Sequence, residues 1–388
     1  MEKYLGDALR NNLRPIIDSL TRPQQKAVSE IVRGLFTMGK PILRHLAQDG
    51  TRTRKKQAEK YSHHLGNVDL VPSVEALALR KAARGIRKHT VIAYDLSDIA
   101  KPFAEKMEKL SRVWDGSAGM TEMGFTLHGV GVNGLLLHLT VHDDAHGTTN
   151  GVRLELVKRL SETLDGQGLW VFDRGCDGKV FFQDLRQIPN VRFIARLRGN
   201  RHVVDVGTGV RQTVDALVPG AHVVHLLDAH GKTDTTAAYT LVVKRLKPHH
   251  EPLRLLTNLP PLRFSRAKVA RLYLERWGIE DSFKRAKTKF GLERIRVASL
   301  RRITNLVACV QLALLLATLL FRTVQASTRD RVVEVVGAFR MFTQQASLDL
   351  TLEAFISFLR QALPPLVHRD PRPPGQLTLL SKRVLAQL

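Results

Sequence analysis

Apolar positions recur at helical spacing through residues 1–88, where few strand signals occur. One predicted helix has Thr21 as a candidate N-cap and carries a stripe of apolar side chains. The stripe consists of Val28, Ile31, Val32, Leu35 and Phe36. A basic helix is predicted after Thr51 or Thr53, and a weaker one over 73–85. The pattern therefore predicts an all-α N-terminal region.

After this region the pattern changes to short apolar runs that are typical of strands. Two of these runs end in an acidic residue, at Asp95 in VIAYD and at Asp173 in LWVFD. Two further runs flank Asn133-Gly134, a dipeptide that strongly favours a tight hairpin turn. We expect an antiparallel hairpin at this position.

The rest of the chain mixes both patterns. A helix is predicted over 152–164, and β-like runs fill the stretch between 203 and 257. A long helix is predicted after Ser265, and two helical stretches are predicted around 330–362. This order predicts an α/β core that is interrupted by a β-rich insertion.

The segment 305–321 is almost wholly apolar and could be mistaken for a membrane span. It is shorter than the roughly 20 residues that a span needs, and it contains Asn305, Gln311 and Thr318. We therefore expect a buried core helix and no membrane association.

Charge indicates a polyanionic partner. The 388 residues contain 60 Lys and Arg against 36 Asp and Glu, a net charge of +24. Residues 1–88 hold 18 basic and 8 acidic residues, and residues 263–302 hold 13 and 4. Two separated basic regions favour two contact surfaces on nucleic acid, although a ribosomal or membrane-surface protein can be equally basic.

The two cysteines, Cys176 and Cys309, exclude a disulfide framework and a cysteine-rich zinc site. This composition fits a reducing compartment. The first ten residues have no apolar run, so we expect no secretory signal.

Three acidic residues are candidates for catalysis. Asp95 and Asp173 follow predicted core strands, whose carboxyl ends face the crevice where α/β proteins bind ligands. An acid in such a position, taken alone, more often caps a turn. Asp98 and Asp177 could compete for the same roles, but they lie beyond the predicted strands. The third candidate is Glu280, in the predicted long helix.

That helix has two distinct faces. At about 100° per residue, four polar side chains fall within an arc of roughly 60°. They are Tyr273, Arg276, Glu280 and Lys287. The apolar stripe consists of Leu272, Ile279, Phe283, Ala286 and Phe290. Such a helix can bury the stripe and hold the polar arc at the core margin, although a surface helix with an Arg276–Glu280 ion pair has the same pattern.

The polar arc resembles the Y-(2)-R-(3)-E-(6)-K signature of a large group of bacterial insertion-sequence transposases of the DDE type. The four fixed positions are Tyr273, Arg276, Glu280 and Lys287. YDLSD around Asp95 and FDRG around Asp173 look like the first and second acid blocks of that family. LLTNLP before the helix is also similar, and the resemblance covers roughly residues 90–325.

The resemblance implies a ribonuclease H-like core with an Asp-Asp-Glu triad and a β-rich insertion before the glutamate. From Asp173 to Glu280 there are 280 − 173 = 107 positions, which accommodate such an insertion. The implied domains are a helical DNA-binding domain at 1–88, a catalytic domain at 89–325 with its insertion at about 200–260, and a helical C-terminal region at 326–388.

The resemblance also implies the chemistry. Asp95, Asp173 and Glu280 would hold two Mg²⁺ ions, with Mn²⁺ as a possible substitute, because hard cations prefer carboxylate oxygens. Such ions support in-line attack on a phosphodiester. Asp95 would contact both ions, while Asp173 and Glu280 would each complete one site.

Five residues of the helix are expected to contact DNA. They are Tyr273, Arg276, Trp277, Lys284 and Lys287. Arg276 and Lys287 suit phosphates, and Tyr273 can hydrogen-bond one. Trp277 could stack on an extruded base, as in related transposases, or pack in the core.

The N-terminal region offers a second candidate DNA surface. A basic run comprises Arg52, Arg54, Lys55 and Lys56 and lies between two predicted helices. We expect it to contact the element end, although solvated charge on a generic helical domain gives the same pattern.

These inferences predict a transposase that cuts and rejoins DNA as a homodimer on transposon-end DNA and target DNA. A bacterial cytoplasmic location, at the nucleoid when DNA is bound, follows from the resemblance. A structure-specific nuclease and a non-catalytic DNA-binding repressor remain alternatives. A P-loop ATPase is disfavoured because the G-x-x-x-x-G-K-[ST] motif is absent.

Overall fold

The computed structural model of the chain describes residues 2–47, 53–116, 118–178, 180–228, 230–326, 330–345 and 350–363. Its helices are α1 (Glu2–Ile17), α2 (Arg22–Met38), α3 (Leu43–Leu46), α4 (Arg54–Gly66), α5 (Val71–Ala83), α6 (Thr149–Thr163), α7 (Phe181–Arg186), α8 (Arg266–Leu274), α9 (Trp277–Lys289), α10 (Leu300–Ala326), α11 (Asp330–Gln345) and α12 (Leu352–Ala362). Its strands are β1 (Val91–Ala100), β2 (Ser111–Asp115), β3 (Met120–Val132), β4 (Leu135–Val141), β5 (Leu169–Phe172), β6 (Phe193–Arg196), β7 (His202–Asp205), β8 (Arg211–Thr213), β9 (Gly220–Leu227), β10 (Thr233–Lys244) and β11 (Leu253–Thr257).

All these described strands join one mixed sheet of 11 strands. Strand β1 lies between β3, which is antiparallel to it, and β5, which is parallel to it. Strand β6 continues the parallel side, and β4 pairs with β3 on the antiparallel side. The β-rich stretch extends the same sheet, since β11 pairs with β6 and is followed by β10, β9, β7 and β8. The predicted α/β mixture is therefore present.

The hairpin between β3 and β4 forms as the sequence predicts. Asn133 and Gly134 have φ angles of 48° and 73°, which a two-residue turn between twisted strands requires. Glycine adopts this conformation freely, and asparagine adopts it more readily than most residues. The turn sets the register that pairs Val132 with Leu135.

The predicted long helix after Ser265 is divided in two. Ser265 caps α8 by accepting a hydrogen bond from the backbone of Lys268. Between α8 and α9 the backbone hydrogen bonds shorten to three-residue spacing, as between Arg276 N and Tyr273 O at 3.1 Å. Glu275 and Arg276 keep right-handed helical torsions. The chain therefore tightens there without reversing its direction.

Helix α10 is the apolar core helix that the sequence predicts. By length and composition it could cross a membrane, but 89% of its most apolar 18-residue window is buried inside the protein. It packs against β4 and against the N-terminal helices α2, α4 and α5. Residues from both regions therefore share one hydrophobic cluster. The boundary at residue 88 between two domains stays a prediction.

Asn305 joins α10 to the N-terminal helices. Its side-chain oxygen accepts from the backbone N–H of Leu70 at 2.9 Å. Its amide nitrogen donates to the carbonyls of Leu65 and Val68, both at 2.9 Å. Because Asn305 is buried, these bonds satisfy backbone groups that water cannot reach.

We predict that Asn305→Ala lowers the free energy of unfolding by about 2–4 kcal/mol, because it leaves buried backbone groups without partners. Urea unfolding followed by circular dichroism measures this loss. Thr318→Val is the matched control in α10, since the Thr318 hydroxyl bonds only to the carbonyl of Leu314 in its own helix. Equal losses for the two variants would contradict the interpretation.

Candidate active site

Asp95 and Asp173 lie side by side at one end of the parallel strands. The register pairs Tyr94 of β1 with Phe172 of β5, so each acid takes the next position along its chain. Neighbouring strands are about 4.8 Å apart, which brings the two residues close together. The expectation that Asp95 ends its strand is wrong, because β1 continues to Ala100 beside β3. What ends at Asp95 is the pairing with β5.

Asp173 also caps a turn. Its side chain accepts a hydrogen bond from the backbone N–H of Arg174, at the start of a short 3₁₀ turn that ends at Cys176. The capping alternative is therefore correct for this residue, and it is compatible with a role in the site. Capping fixes the carboxylate at the position where β5 ends.

Arg276 joins the first acid to the third. One guanidinium nitrogen lies 2.6 Å from Asp95 Oδ2, and the other lies 2.5 Å from Glu280 Oε1. The Arg276 side chain is only 7% exposed, whereas that of Glu280 is 46% exposed. The glutamate therefore stands at the open side of the site, and the guanidinium lies beneath it.

The charges of Asp173 and Glu280 both act on Asp95. Burial, together with the charges of Asp173 and Glu280, raises the pKa of Asp95 to about 7, although Arg276 opposes this shift. Burial alone would lower the pKa of Arg276, but the carboxylates of Asp95, Asp173 and Glu280 raise it. The three carboxylates thus form one charged cluster around a buried cation.

Helix α9 sits close to the sheet because glycines lie beneath it. Gly129 of β3 pairs directly with Asp95, so both residues belong to the face that α9 covers. A Cβ atom on Gly129 would lie 2.4 Å from the Phe283 ring, and one on Gly131 would lie 3.3 Å from Ile279. The predicted apolar stripe is buried as expected. This contact brings Glu280 close enough to Asp95 for its charge to act on that acid.

Tyr273 and Trp277 differ sharply in exposure. The Tyr273 ring is buried, and the guanidinium of Arg276 lies 5.8 Å from its centroid. Burial raises the pKa of the Tyr273 hydroxyl. Trp277 is 60% exposed, so the alternative that it packs in the core is wrong. An exposed indole beside the acid cluster can stack on a ligand.

The two lysines of α9 are also placed differently. Lys284 is exposed, one turn beyond Glu280. Lys287 is paired, with its amino group 3.0 Å from Asp98 and 3.0 Å from Glu293. Burial alone would lower the pKa of Lys287, but its hydrogen bonds to these two acids raise it. Asp98, which sequence left as a competitor for the catalytic role, is thus a partner of Lys287.

The N-terminal basic run begins a helix. Thr53 is the N-cap of α4, so Arg54, Lys55 and Lys56 form its first turn instead of a link between helices. All three are exposed. Arg52 lies outside the described residues.

A cavity of about 470 Å³ adjoins this turn. It is lined by Arg44, His45, Arg54 and Lys55. Sequence reasoning missed Arg44 and His45, because they belong to the short helix α3 and stand apart from the basic run. Only the tertiary contact between α3 and α4 brings the two pairs together.

Comparison with known proteins agrees with this geometry. The family model described as the transposase DDE domain matches residues 86–316. The chain belongs to the DDE transposase family. A search of curated proteins finds no match to its sequence. The matched range includes all three acids of the cluster and ends within α10. The activity of the family is DNA transposition, and DNA is its general partner.

The carboxylate oxygens of the three acids are of the type that a hard divalent cation such as Mg²⁺ prefers. Across the described ranges, however, no group of three or more His, Cys, Asp or Glu residues is arranged to hold a metal ion. Arg276 accounts for this arrangement, since its guanidinium contacts two of the three carboxylates. The types of these residues fit such a metal ion, but in the structure two of their carboxylates contact the guanidinium of Arg276.

We predict that Gly129→Ala displaces α9 and impairs the site. The new methyl group would overlap the Phe283 ring, which costs about 1–3 kcal/mol in a packed core. Gly131→Ala is the control, since its closest contact, with Ile279, is only slightly tight. Thermal unfolding and DNA cleavage assays of both variants measure the effects. We expect Gly129→Ala to lose more thermal stability and more cleavage activity than Gly131→Ala. A larger loss for Gly131→Ala would refute the packing argument.

Proposed function

We propose that this chain is a cut-and-paste transposase that cleaves DNA strands at the ends of its element and joins them to target DNA. The observation that carries the proposal is the cluster of Asp95, Asp173 and Glu280 around one buried cation. Carboxylates so close together repel one another, so a fold that collects them indicates a site for cations.

The sheet supports a ribonuclease H-like core. Along β4-β3-β1-β5-β6, an antiparallel meander is followed by two parallel strands, with the first two acids where β1 and β5 separate. The strands between β6 and α8 match the β-rich insertion proposed at about 200–260. We propose 89–325 as the catalytic domain, 1–88 as the DNA-binding domain and 326–388 as the helical C-terminal region.

The proposed chemistry divides the work among the acids. Asp95, Asp173 and Glu280 would hold two Mg²⁺ ions, for which Mn²⁺ could substitute, and these would supply positive charge for the attacking and leaving oxygens. Asp95, on which the charges of the other two acids act, would serve both ions, and Asp173 and Glu280 would each complete one site. Water is the nucleophile in cleavage, and the released 3′-OH is the nucleophile in strand transfer.

The other residues of α8 and α9 would hold the DNA. Exposed Lys284 faces solvent beside the cluster, where it can bind a phosphate without losing an ion pair. Lys287 must exchange Asp98 and Glu293 for a phosphate before it can do so. Trp277 would stack on a base at the cut end, and buried Tyr273 would orient Arg276. Such a complex would form as a homodimer on two ends, at the nucleoid of a bacterial cytoplasm.

We predict that Glu280→Gln reduces cleavage more than about a hundredfold and leaves end binding nearly unchanged. The amide preserves the shape of the side chain but removes the charge that a divalent cation requires. Cleavage and gel-shift assays with Mg²⁺ and the end DNA measure the two effects.

Glu275→Gln is the matched control, since Glu275 is an exposed acid five residues earlier with no ion pair within the described part of the chain. We expect it to cleave at the wild-type rate. Wild-type cleavage by Glu280→Gln would exclude Glu280 from the catalytic site, whereas no cleavage by the wild-type protein itself would favour the DNA-binding repressor.

We predict that the N-terminal run binds phosphates of the element end. Each neutralised phosphate contributes about 0.9 to the slope of log affinity against log salt, so replacing Arg52, Arg54, Lys55 and Lys56 by Ala flattens it by up to roughly 3–4 units. Binding measured across a salt series gives this slope, and a random duplex shows whether the loss is specific for the element sequence.

Single variants sharpen the comparison. Lys55→Ala removes one cavity-lining charge and should flatten the slope by about 0.9 units. Lys158→Ala removes one exposed charge from α6, outside the lining of that cavity, and should leave the slope unchanged. If neither the fourfold variant nor Lys55→Ala alters affinity or slope, the run is solvated charge only.

A further inference from the structure

Each carboxylate of the cluster already has a partner within the protein. Asp95 Oδ1 accepts from the backbone N–H of Leu96 at 2.9 Å, and Asp95 Oδ2 accepts from Arg276 at 2.6 Å. Glu280 Oε1 accepts from the same guanidinium, and Asp173 accepts from the backbone of Arg174. Both oxygens of Asp95 and one oxygen each of Glu280 and Asp173 are therefore engaged within the protein.

Arg276 cannot release these oxygens by losing its proton. A guanidinium stays charged at every physiological pH, and its neighbouring carboxylates make deprotonation still harder. It therefore has to move if a metal ion is to take its place. Its Nε, which has no hydrogen-bond partner within the described residues, shows that the buried group is not fully satisfied where it lies.

The charge balance also opposes the presence of Arg276 and two divalent ions in the cluster at the same time. Three carboxylates and one guanidinium leave the cluster with two net negative charges. Two divalent ions added to the same set would leave it with two net positive charges, in a partly buried place where repulsion is strong. A DNA phosphate supplies negative charge and is a preferred bidentate partner of arginine. DNA can thus both attract the guanidinium and compensate the incoming ions.

We propose that Arg276 is an internal counter-cation that closes the carboxylate cluster to divalent ions until a DNA phosphate draws its guanidinium away. This inference rests on the proposed function and adds the order of binding to it. The DNA-free protein binds divalent ions weakly, and end DNA strengthens that binding. By linkage, the ions strengthen end binding by the same factor.

The test measures Mn²⁺ binding to the full chain by the electron paramagnetic resonance signal of free Mn²⁺. Each protein is titrated alone, with a duplex that ends in the inverted repeat bordering its coding sequence, and with a random duplex of equal length. The proteins are wild type, Arg276→Gln, Arg276→Lys and the control Arg285→Gln. Arg285 lies on the same helix and pairs with Glu353 of α12, away from the cluster.

We expect Arg276→Gln to bind Mn²⁺ without DNA about tenfold tighter than wild type, and its further gain from end DNA to be smaller than that of wild type, because only the charge compensation by DNA remains. Arg276→Lys retains a charge but lacks the planar fork that contacts two carboxylates, so its affinity should lie between the two. Arg285→Gln should behave like wild type. Circular dichroism shows whether each variant is folded. If Arg276→Gln is not folded, the comparison of Arg276→Lys with wild type provides the test.

The proposal is overturned if the folded Arg276 variants bind Mn²⁺ without DNA no more tightly than wild type. It is also overturned if they keep the full gain from end DNA. Asp95→Asn separates this failure from failure of the proposed function. If Asp95→Asn binds Mn²⁺ as wild type does in the presence of end DNA, then the carboxylate cluster is not the metal site, whatever Arg276 does.

Discussion

Three like charges gathered at one edge of a sheet have to be compensated, and in this fold a single guanidinium compensates them. The guanidinium of Arg276 contacts both Asp95 and Glu280, and the charge of Asp173 acts on the same guanidinium. Without it, burial and mutual repulsion would drive at least one of the acids to take up a proton. The tight turn between α8 and α9 is the local feature that brings this side chain beneath the glutamate.

The position of that guanidinium depends on packing farther away. Helix α9 approaches the sheet only because β3 carries glycine at the two positions it covers. Helix α10 packs on β4, and Asn305 links it to the N-terminal helices by hydrogen bonds. The N-terminal helices that carry the basic surface therefore share one hydrophobic core with the strands and the helix that carry the acid cluster.

Sequence predicted those features that depend on local patterns. The acids after apolar runs, the Asn133-Gly134 turn, the apolar stripe of α9 and the buried α10 are set by spacing and residue type. Long-range partners decide the features that the pattern did not show. Strand β1 passes beyond Asp95 because β3 continues to pair with it, so the predicted end of that strand is wrong. Lys287 is held by Asp98 and Glu293, and its contact with DNA stays a prediction. A helical wheel places Arg276 beside Glu280, but it cannot show that Asp95 completes the bridge.

The cluster can be relieved in two chemically different ways. A proton on Asp95 would lower the repulsion, and burial holds the pKa of this acid near 7, so protonation is within reach at neutral pH. A cation relieves the repulsion without neutralising the acid and keeps the carboxylate able to bind metal. Arg276 supplies that cation from within the chain. Its neighbour Trp277 and the following Lys284 are both exposed on the same helix. Arg276 thus opposes protonation of Asp95 from within the chain, and under the proposed function a DNA phosphate and metal ions would take over this compensation.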